Sequence, residues 1–369
     1  MKSVFLVGTR WFGVLGPCAL LIDNLIERGY KVFIFGQKDE RYQQFKCGHV
    51  ELVELNVKRN YYSFLLDIDD ILLLRKYVKK YQPEFIHSFN PKPSLLCYFS
   101  LLFNNKSKFL IGVTGLGNTF IKANIALRLI IQGVLKRAAK KAMFIFFQNP
   151  DDRALFIKQL SVDQNKTKLF RSPGVDVHRF SFSSNTLESG KKIKVLLVAR
   201  LLWQKGIDDF VDTYKKLEAL GLNDHYEFLL VGEQDEQHPD KLVQSDIVEI
   251  QRLGIKWLEW TDEIEEIYRE NNILLFMSKR EGGPRAILEA SSIGLPTIGS
   301  NCTGVKELVI DNVTGFLVES GDVDSIVSRL EQYRQNPELI TLHGEKARNL
   351  IGEKYSLENA TKAQLEMYV

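Results

Sequence analysis

Short apolar runs alternate with longer stretches of helical spacing along the first half of the chain. The runs at 3–8, 31–35, 51–55, 84–87, 108–113 and 143–147 predict buried strands. The stretches between them predict helices at about 17–28, 70–81, 92–103, 121–141 and 150–159. Strands alternating with helices imply a parallel sheet covered on both faces. After Gly174 the periodicity lapses into a serine-rich polar stretch at 181–190, which predicts an interdomain linker. A second strand–helix series begins at 194–198 and continues at 227–232, 273–276 and 296–299. The expected architecture is α/β, with two tandem Rossmann-like doubly wound domains facing across a cleft. The boundaries fall at 1–180 and 181–354, with a C-terminal helix at about 355–369 able to pack back on the first domain.

The length of 369 residues is enough for two such cores. The opening MKSVFLVG is too short for a signal peptide and reads as a first strand. No stretch approaches the roughly 18 apolar residues of a membrane helix, and the most apolar helical segment is broken by Arg128 and Gln132. Cys18, Cys47, Cys97 and Cys302 have no pairing or ligand rhythm, which argues for a reducing compartment and against a zinc site. The net charge of +3 conceals an asymmetry: residues 1–180 hold 28 Lys+Arg against 14 Asp+Glu, and no acidic residue occurs between Glu84 and Asp151. One half is basic and the other acidic, so the two halves face different partners or each other.

Candidate chemistry lies mostly in the second half. Glu281-Gly282-Gly283-Pro284-Arg285-Ala286-Ile287-Leu288-Glu289 follows a predicted strand and runs into a helix with Pro284 near its first turn. Free N–H groups beside two glycines favour anionic or hydroxyl-rich ligands, and Glu281 and Glu289 can touch two parts of one extended ligand. Arg200 and Lys205 follow the strand that opens the second domain, where a cation pair suits a diphosphate. The bland alternatives are a capped helix with ion-paired glutamates and two solvated basic residues on a loop.

These residues, with Gly304-Val305-Lys306-Glu307-Leu308-Val309, the segment 314–318 and the junction 173–180, resemble glycosyltransferase family 4, a GT-B family. The resemblance implies that Arg200 and Lys205 bind the donor diphosphate, Glu281 the donor sugar and Glu289 the ribose. It implies that Gly282, Gly283 and Pro284 hold sugar and phosphates, with Arg285 beside them. Trp260-Thr261-Asp262 looks like the turn beneath the nucleobase, and Gly13-Val14-Leu15-Gly16-Pro17 like the family's first loop, which faces donor and acceptor. It further implies retention of anomeric configuration by front-face attack, with no obligate metal and no cofactor beyond the UDP-sugar substrate.

In the first half, 87–93, Thr114-Gly115-Leu116-Gly117 and 147–152 resemble bacterial capsule and O-antigen transferases, nearest to undecaprenyl-diphosphate-linked N-acetylgalactosaminyltransferases. His87, Asn90, Lys92, Thr114 and Gly115 are the acceptor-side candidates. The chain departs from that pattern at Thr114, where many relatives carry histidine, at Gly283, where they carry a large apolar residue, and at Gly232-Glu233-Gln234-Asp235. A lone histidine such as His87 is more often structural than a base.

Two segments stand apart from the resemblance. Asp67-Ile68-Asp69-Asp70 has a metal-binding spacing, but it immediately precedes an apolar periodic run and reads as a helix cap. The segment 121–141 carries Lys122, Arg128, Lys136, Arg137, Lys140 and Lys141 among apolar residues, which suits an anionic membrane surface. The sequence thus predicts a cytoplasmic enzyme on the inner face of the plasma membrane, moving a hexose or N-acetylhexosamine from a UDP-sugar to an undecaprenyl-diphosphate-linked acceptor. The alternatives are a nucleotide-sugar epimerase of the same fold and a non-catalytic scaffold of a polysaccharide assembly complex. Aromatic residues do not interleave with the cations in a nucleic-acid module, so no nucleic-acid partner is expected.

Overall fold

The computed structural model describes residues 2–39, 50–57, 67–102, 104, 106–115, 125–170, 174–184, 186–187, 190–235 and 238–368. Cys47, Leu116, Gly117, Lys122, Pro173 and the start of the predicted helix 121–141 lie outside them. The chain divides into two compact units, Met1–Pro173 with Glu358–Val369, and Gly174–Leu357.

In the first unit seven parallel strands lie in the order β3-β2-β1-β4-β5-β6-β7. They are β1 (Ser3–Arg10), β2 (Lys31–Gln37), β3 (Val50–Glu54), β4 (Phe85–Phe89), β5 (Lys108–Val113), β6 (Phe144–Phe147) and β7 (Thr167–Leu169). The strand period of two sends alternate side chains to opposite faces. Phe5, Val7, Phe33 and Phe35 pack under α2 (Ile68–Tyr81), α3 (Pro91–Ser100), α4 (Ile125–Lys141) and α5 (Pro150–Leu160). Their neighbours Val4, Leu6, Val32 and Ile34 pack under α1 (Phe12–Glu27) and the C-terminal Met367 and Tyr368. Burial on both faces is why these strands read as unbroken apolar runs.

The second unit repeats the plan with six parallel strands, β10-β9-β8-β11-β12-β13. These are β8 (Ile193–Val198), β9 (Tyr226–Val231), β10 (Lys256–Leu258), β11 (Ile273–Phe276), β12 (Thr297–Ser300) and β13 (Gly315–Val318). The helices are α6 (Ile207–Ala219), α7 (Gln244–Arg252), α8 (Ile264–Arg269), α9 (Arg285–Ile293), α10 (Val323–Gln335) and α11 (Glu338–Lys354). A last helix, α12 (Leu357–Leu365), leads to the end of the chain.

Three expectations from sequence are revised. The division falls before Gly174 rather than after Phe180, because Val175 and Phe180 belong to the second unit's core and Val175 bridges to Ser356. Helix α1 begins at Phe12, so Gly13 to Pro17 are helical and not a loop. Gly13, Gly16 and Pro17 read as breakers, but the first turn closes by bonds from Val14 and Leu15 N–H to Trp11 O. Asp67 does stand at the N-cap of α2, yet its side chain makes no capping bond and pairs with Lys92 instead.

Candidate functional site

In an open parallel sheet, ligands bind where the strand order reverses, at the carboxyl ends of the two strands flanking that point. In the second unit those strands are β8 and β11. The chain leaves β8 through Ala199 and Arg200 into a single 3-10 turn, Trp203–Lys205, and enters α6 at Gly206. It leaves β11 through Ser278 to Pro284 into α9. The two loops are joined: Lys279 N–H and the Ser278 hydroxyl both donate to Gln204 O, at 3.0 and 3.3 Å. Gly206 has φ +79, and a β-carbon there would collide with Met277 backbone, so glycine is required where the loops touch.

This junction brings one predicted cation and one predicted carboxylate together, while Arg200 and Glu289 take other partners. Lys205 Nζ lies 2.5 Å from Glu281 Oε1, with the side chains only 17% and 12% exposed. Arg200 Nη1 lies 2.7 Å from Asp235 Oδ2, and the Arg200 side chain remains 42% exposed. Asp235 belongs to the loop after β9. The same loop braces the cation turn, since Asp240 accepts from Gln204 N–H at 2.8 Å. Glu281 is fixed through its own N–H to Thr303 O at 3.0 Å.

Gly282 and Gly283 are partly buried, and Pro284 stands at the N-cap of α9 rather than inside its first turn. Arg285 opens the helix and pairs through Nη2 with Glu289 Oε1 at 3.2 Å. Glu289 is buried, and burial pushes its carboxyl above the ordinary range against the pull of Arg285. Thr261 Oγ1 accepts from Glu263 N–H at 3.2 Å. Arg179 holds that turn, donating to Asp262 O at 2.7 Å and to Glu265 Oε2 at 2.8 Å. Tyr268 was not singled out from sequence, and Asp235 and Arg179 stood only within longer segments with no role assigned, because each meets its partner across a long chain separation. One acid among many in an acidic half carries no local signal.

The first unit has the same reversal, between β1 and β4. Asn90, just past β4, adopts φ 77 and ψ 157, and its Oδ1 accepts from the Thr114 hydroxyl at 2.5 Å. Gly115 follows, partly buried. Two acceptor-side expectations are corrected. Lys92 is buried in an ion pair with Asp67 at 3.0 Å, so its charge is used inside the unit. His87 is fully buried between Phe89 and Phe146, with Nδ1 2.5 Å from the Tyr368 hydroxyl. A side chain with no exposed surface cannot meet an acceptor, so His87 is structural. Gly13 is exposed in the first turn of α1.

No helix among the described residues is long and apolar enough to cross a membrane. On α4, Leu129 and Ile130 are 61% and 64% exposed, and Arg137 and Lys140 are exposed further along.

Residues 179–351 match the family model of glycosyl transferases group 1. The chain is 26% identical over 316 residues to the UDP-Gal:alpha-D-GlcNAc-diphosphoundecaprenol alpha-1,3-galactosyltransferase of Escherichia coli, covering 83% of this chain and 80% of that one. It is 23% identical to the N,N'-diacetylbacillosaminyl-diphospho-undecaprenol alpha-1,3-N-acetylgalactosaminyltransferase of Campylobacter jejuni, covering 86% of each. Its fold matches sucrose-phosphate synthase of Thermosynechococcus elongatus with a TM-score of 0.83 at 18% identity, over 100% and 98% of the two chains. It matches Anabaena HepE, solved with UDP-glucose, with a TM-score of 0.79 at 15% identity, over 100% and 99%.

Proposed function

Since the chain is a bacterial glycosyltransferase of the capsule and O-antigen type, with a group 1 domain on a GT-B fold, we propose that it is a retaining hexosyltransferase using a UDP-sugar. It moves a hexose or N-acetylhexosamine onto an undecaprenyl-diphosphate-linked glycan. The observation that carries the reading is the Lys205–Glu281 pair, joined across the loops that follow β8 and β11 where the second sheet reverses, with Arg200 on the first of those loops.

Transfer breaks the bond between the anomeric carbon and the diphosphate oxygen, and negative charge grows on that oxygen. Arg200 and Lys205, each held by a carboxylate before the donor arrives, turn to the diphosphate and take up this charge. Because two side-chain cations do this, the reaction is proposed to need no metal. Glu281 exchanges Lys205 for hydroxyls of the donor sugar, and Glu289 accepts from the ribose. Gly282 and Gly283, without side chains, let the donor approach the backbone ahead of α9, whose N-terminal dipole favours an anion. Thr261 is the candidate beside the nucleobase. Asn90, Thr114 and Gly115 are the groups left for the acceptor, and α4 docks the enzyme on the inner, anionic face of the plasma membrane.

Two facts about similar proteins support the donor and acceptor classes: the Escherichia coli relative is named for UDP-galactose and a diphosphoundecaprenol sugar, and HepE was solved with UDP-glucose. The test is a thermal-shift panel of UDP, GDP and ADP and their hexose conjugates, with and without magnesium. A ligand at 100 times its dissociation constant adds about 2.7 kcal/mol. Stabilisation by UDP without metal is the expected result. No response to any nucleotide overturns the donor assignment.

A further inference from the structure

Glu289 lies on the second turn of α9 with its carboxylate buried. A carboxylate taken out of water needs donors on its oxygens, and two residues supply them. Arg285, one turn earlier on the same helix, reaches Oε1 at 3.2 Å. Tyr268, near the end of α8, donates its hydroxyl to Oε2 at 3.1 Å.

The two donors differ in freedom. The Arg285 side chain is 48% exposed and can swing toward solvent. The Tyr268 ring has no exposed surface and packs edge-on against Phe180, with centroids 6.2 Å apart. Its hydroxyl therefore holds one oxygen of Glu289 in place, while the other faces a partner that can leave. A ribose hydroxyl can occupy the place Arg285 vacates.

We infer that Tyr268 is the positioning residue that fixes Glu289 for hydroxyl recognition, and that it sets the preference of this site for ribose over deoxyribose. The inference rests on the donor reading, in which Glu289 meets the ribose. Tyr268 never touches the ligand. It acts by removing the freedom of the carboxylate, so that the energy of the ribose contact is not spent on ordering the side chain.

The test is calorimetric titration of the full chain with UDP, 2′-deoxy-UDP and 3′-deoxy-UDP. The wild type binds UDP more tightly than at least one deoxy compound, by roughly tenfold. Tyr268→Phe deletes one oxygen and keeps the ring. It weakens UDP by roughly three- to tenfold and leaves that deoxy compound unchanged, so the ratio collapses. Tyr268→Met fills much of the same space without a hydroxyl and collapses the ratio in the same way, which covers the case of a Tyr268→Phe chain that does not fold. Absence of UDP binding in the wild type overturns the donor reading itself. A wild type that discriminates, with both variants keeping its ratio, overturns the role of Tyr268 and leaves the donor reading standing. Loss of affinity for all three ligands alike shows a merely structural tyrosine and also overturns it.

Discussion

Lys205 Nζ and Glu281 Oε1 lie 2.5 Å apart, carried by loops that leave the adjacent strands β8 and β11. The ion pair ties the two loops together and fixes the separation of a cation and a carboxylate. Lys205→Ala should lower sugar transfer from UDP-sugar by about 100-fold or more, the usual effect of deleting one charge-stabilising donor. Glu281 retains some exposure and can turn to water, so the variant should melt within a few degrees of the wild type. Near-normal turnover, measured as UDP release coupled to acceptor, would remove Lys205 from the mechanism.

Glu281→Gln separates the two partners differently. The variant keeps the shape and an acceptor oxygen but releases Lys205 from its carboxylate. Affinity for free UDP should hold or rise, because the lysine then has only phosphate to answer to. Transfer should still fall by roughly tenfold or more, since the sugar hydroxyls lose a charged acceptor. Titration of UDP beside steady-state kinetics checks the split. A parallel loss of both would place Glu281 in the scaffold instead.

Asn90 sits at φ 77 and ψ 157, a region open to glycine and costly by about 1–3 kcal/mol for other residues. Asn90→Gly and Asn90→Ala both lose the bond to Thr114, but only the glycine relieves the backbone. The glycine variant should therefore be the more stable of the two by about 1 kcal/mol, the reverse of the order in ordinary structure. Urea unfolding of both variants decides it. An alanine variant as stable as the glycine variant would show that the backbone there is not strained.

The exposed Leu129 and Ile130 of α4 stand beside the cations of the acid-free segment. Each cation near an anionic leaflet contributes about 1 kcal/mol, and each buried aliphatic side chain about 1.5–3 kcal/mol. The chain should sediment with phosphatidylglycerol vesicles at low salt and release as salt screens the charges. Leu129→Asp with Ile130→Asp should abolish sedimentation without lowering the melting temperature. Vesicle binding that ignores both salt and these substitutions would place the membrane contact elsewhere.

The parts of the fold legible in the sequence were those with a strong period. β1 and β2 are buried on both faces and read as apolar runs, and α5 was bounded nearly to the residue by Pro150 and Asn149. β7 and β10, of three residues each with lysines in or beside them, are too short for any period to show. Helix α1 was begun too late because glycine and proline in its first turns imitate a loop. Arg200, Lys205, Glu281 and Glu289 were picked out by their resemblance to a family pattern, and the folded chain joins Lys205 to Glu281 but gives Arg200 and Glu289 other partners. Lys92 was misread because its fate depends on Asp67, and only the folded chain shows that the two are buried together.

His87 offers a test of the interior of the first unit. Burial lowers its ring from an ordinary 6.5 to about 3, so the native protein keeps it neutral through mild acid. The unfolded chain takes up a proton as pH falls below about 6.5, and the folded chain does not follow until about pH 3. The stabilisation is therefore complete above pH 6.5. It is lost as pH falls across that window, at roughly 1 kcal/mol per unit. His87→Gln leaves the Tyr368 hydroxyl an acceptor while removing the titrating group. The variant starts less well packed against Phe89 and Phe146, but its stability should fall less steeply between pH 7 and pH 4 than the wild type's. Carboxylates titrating in the same range act on both proteins and cancel in the comparison. Urea midpoints at several pH values measure the two slopes. Parallel slopes would mean that the ring is reached by protons in the folded state, and that Tyr368 does not seal it.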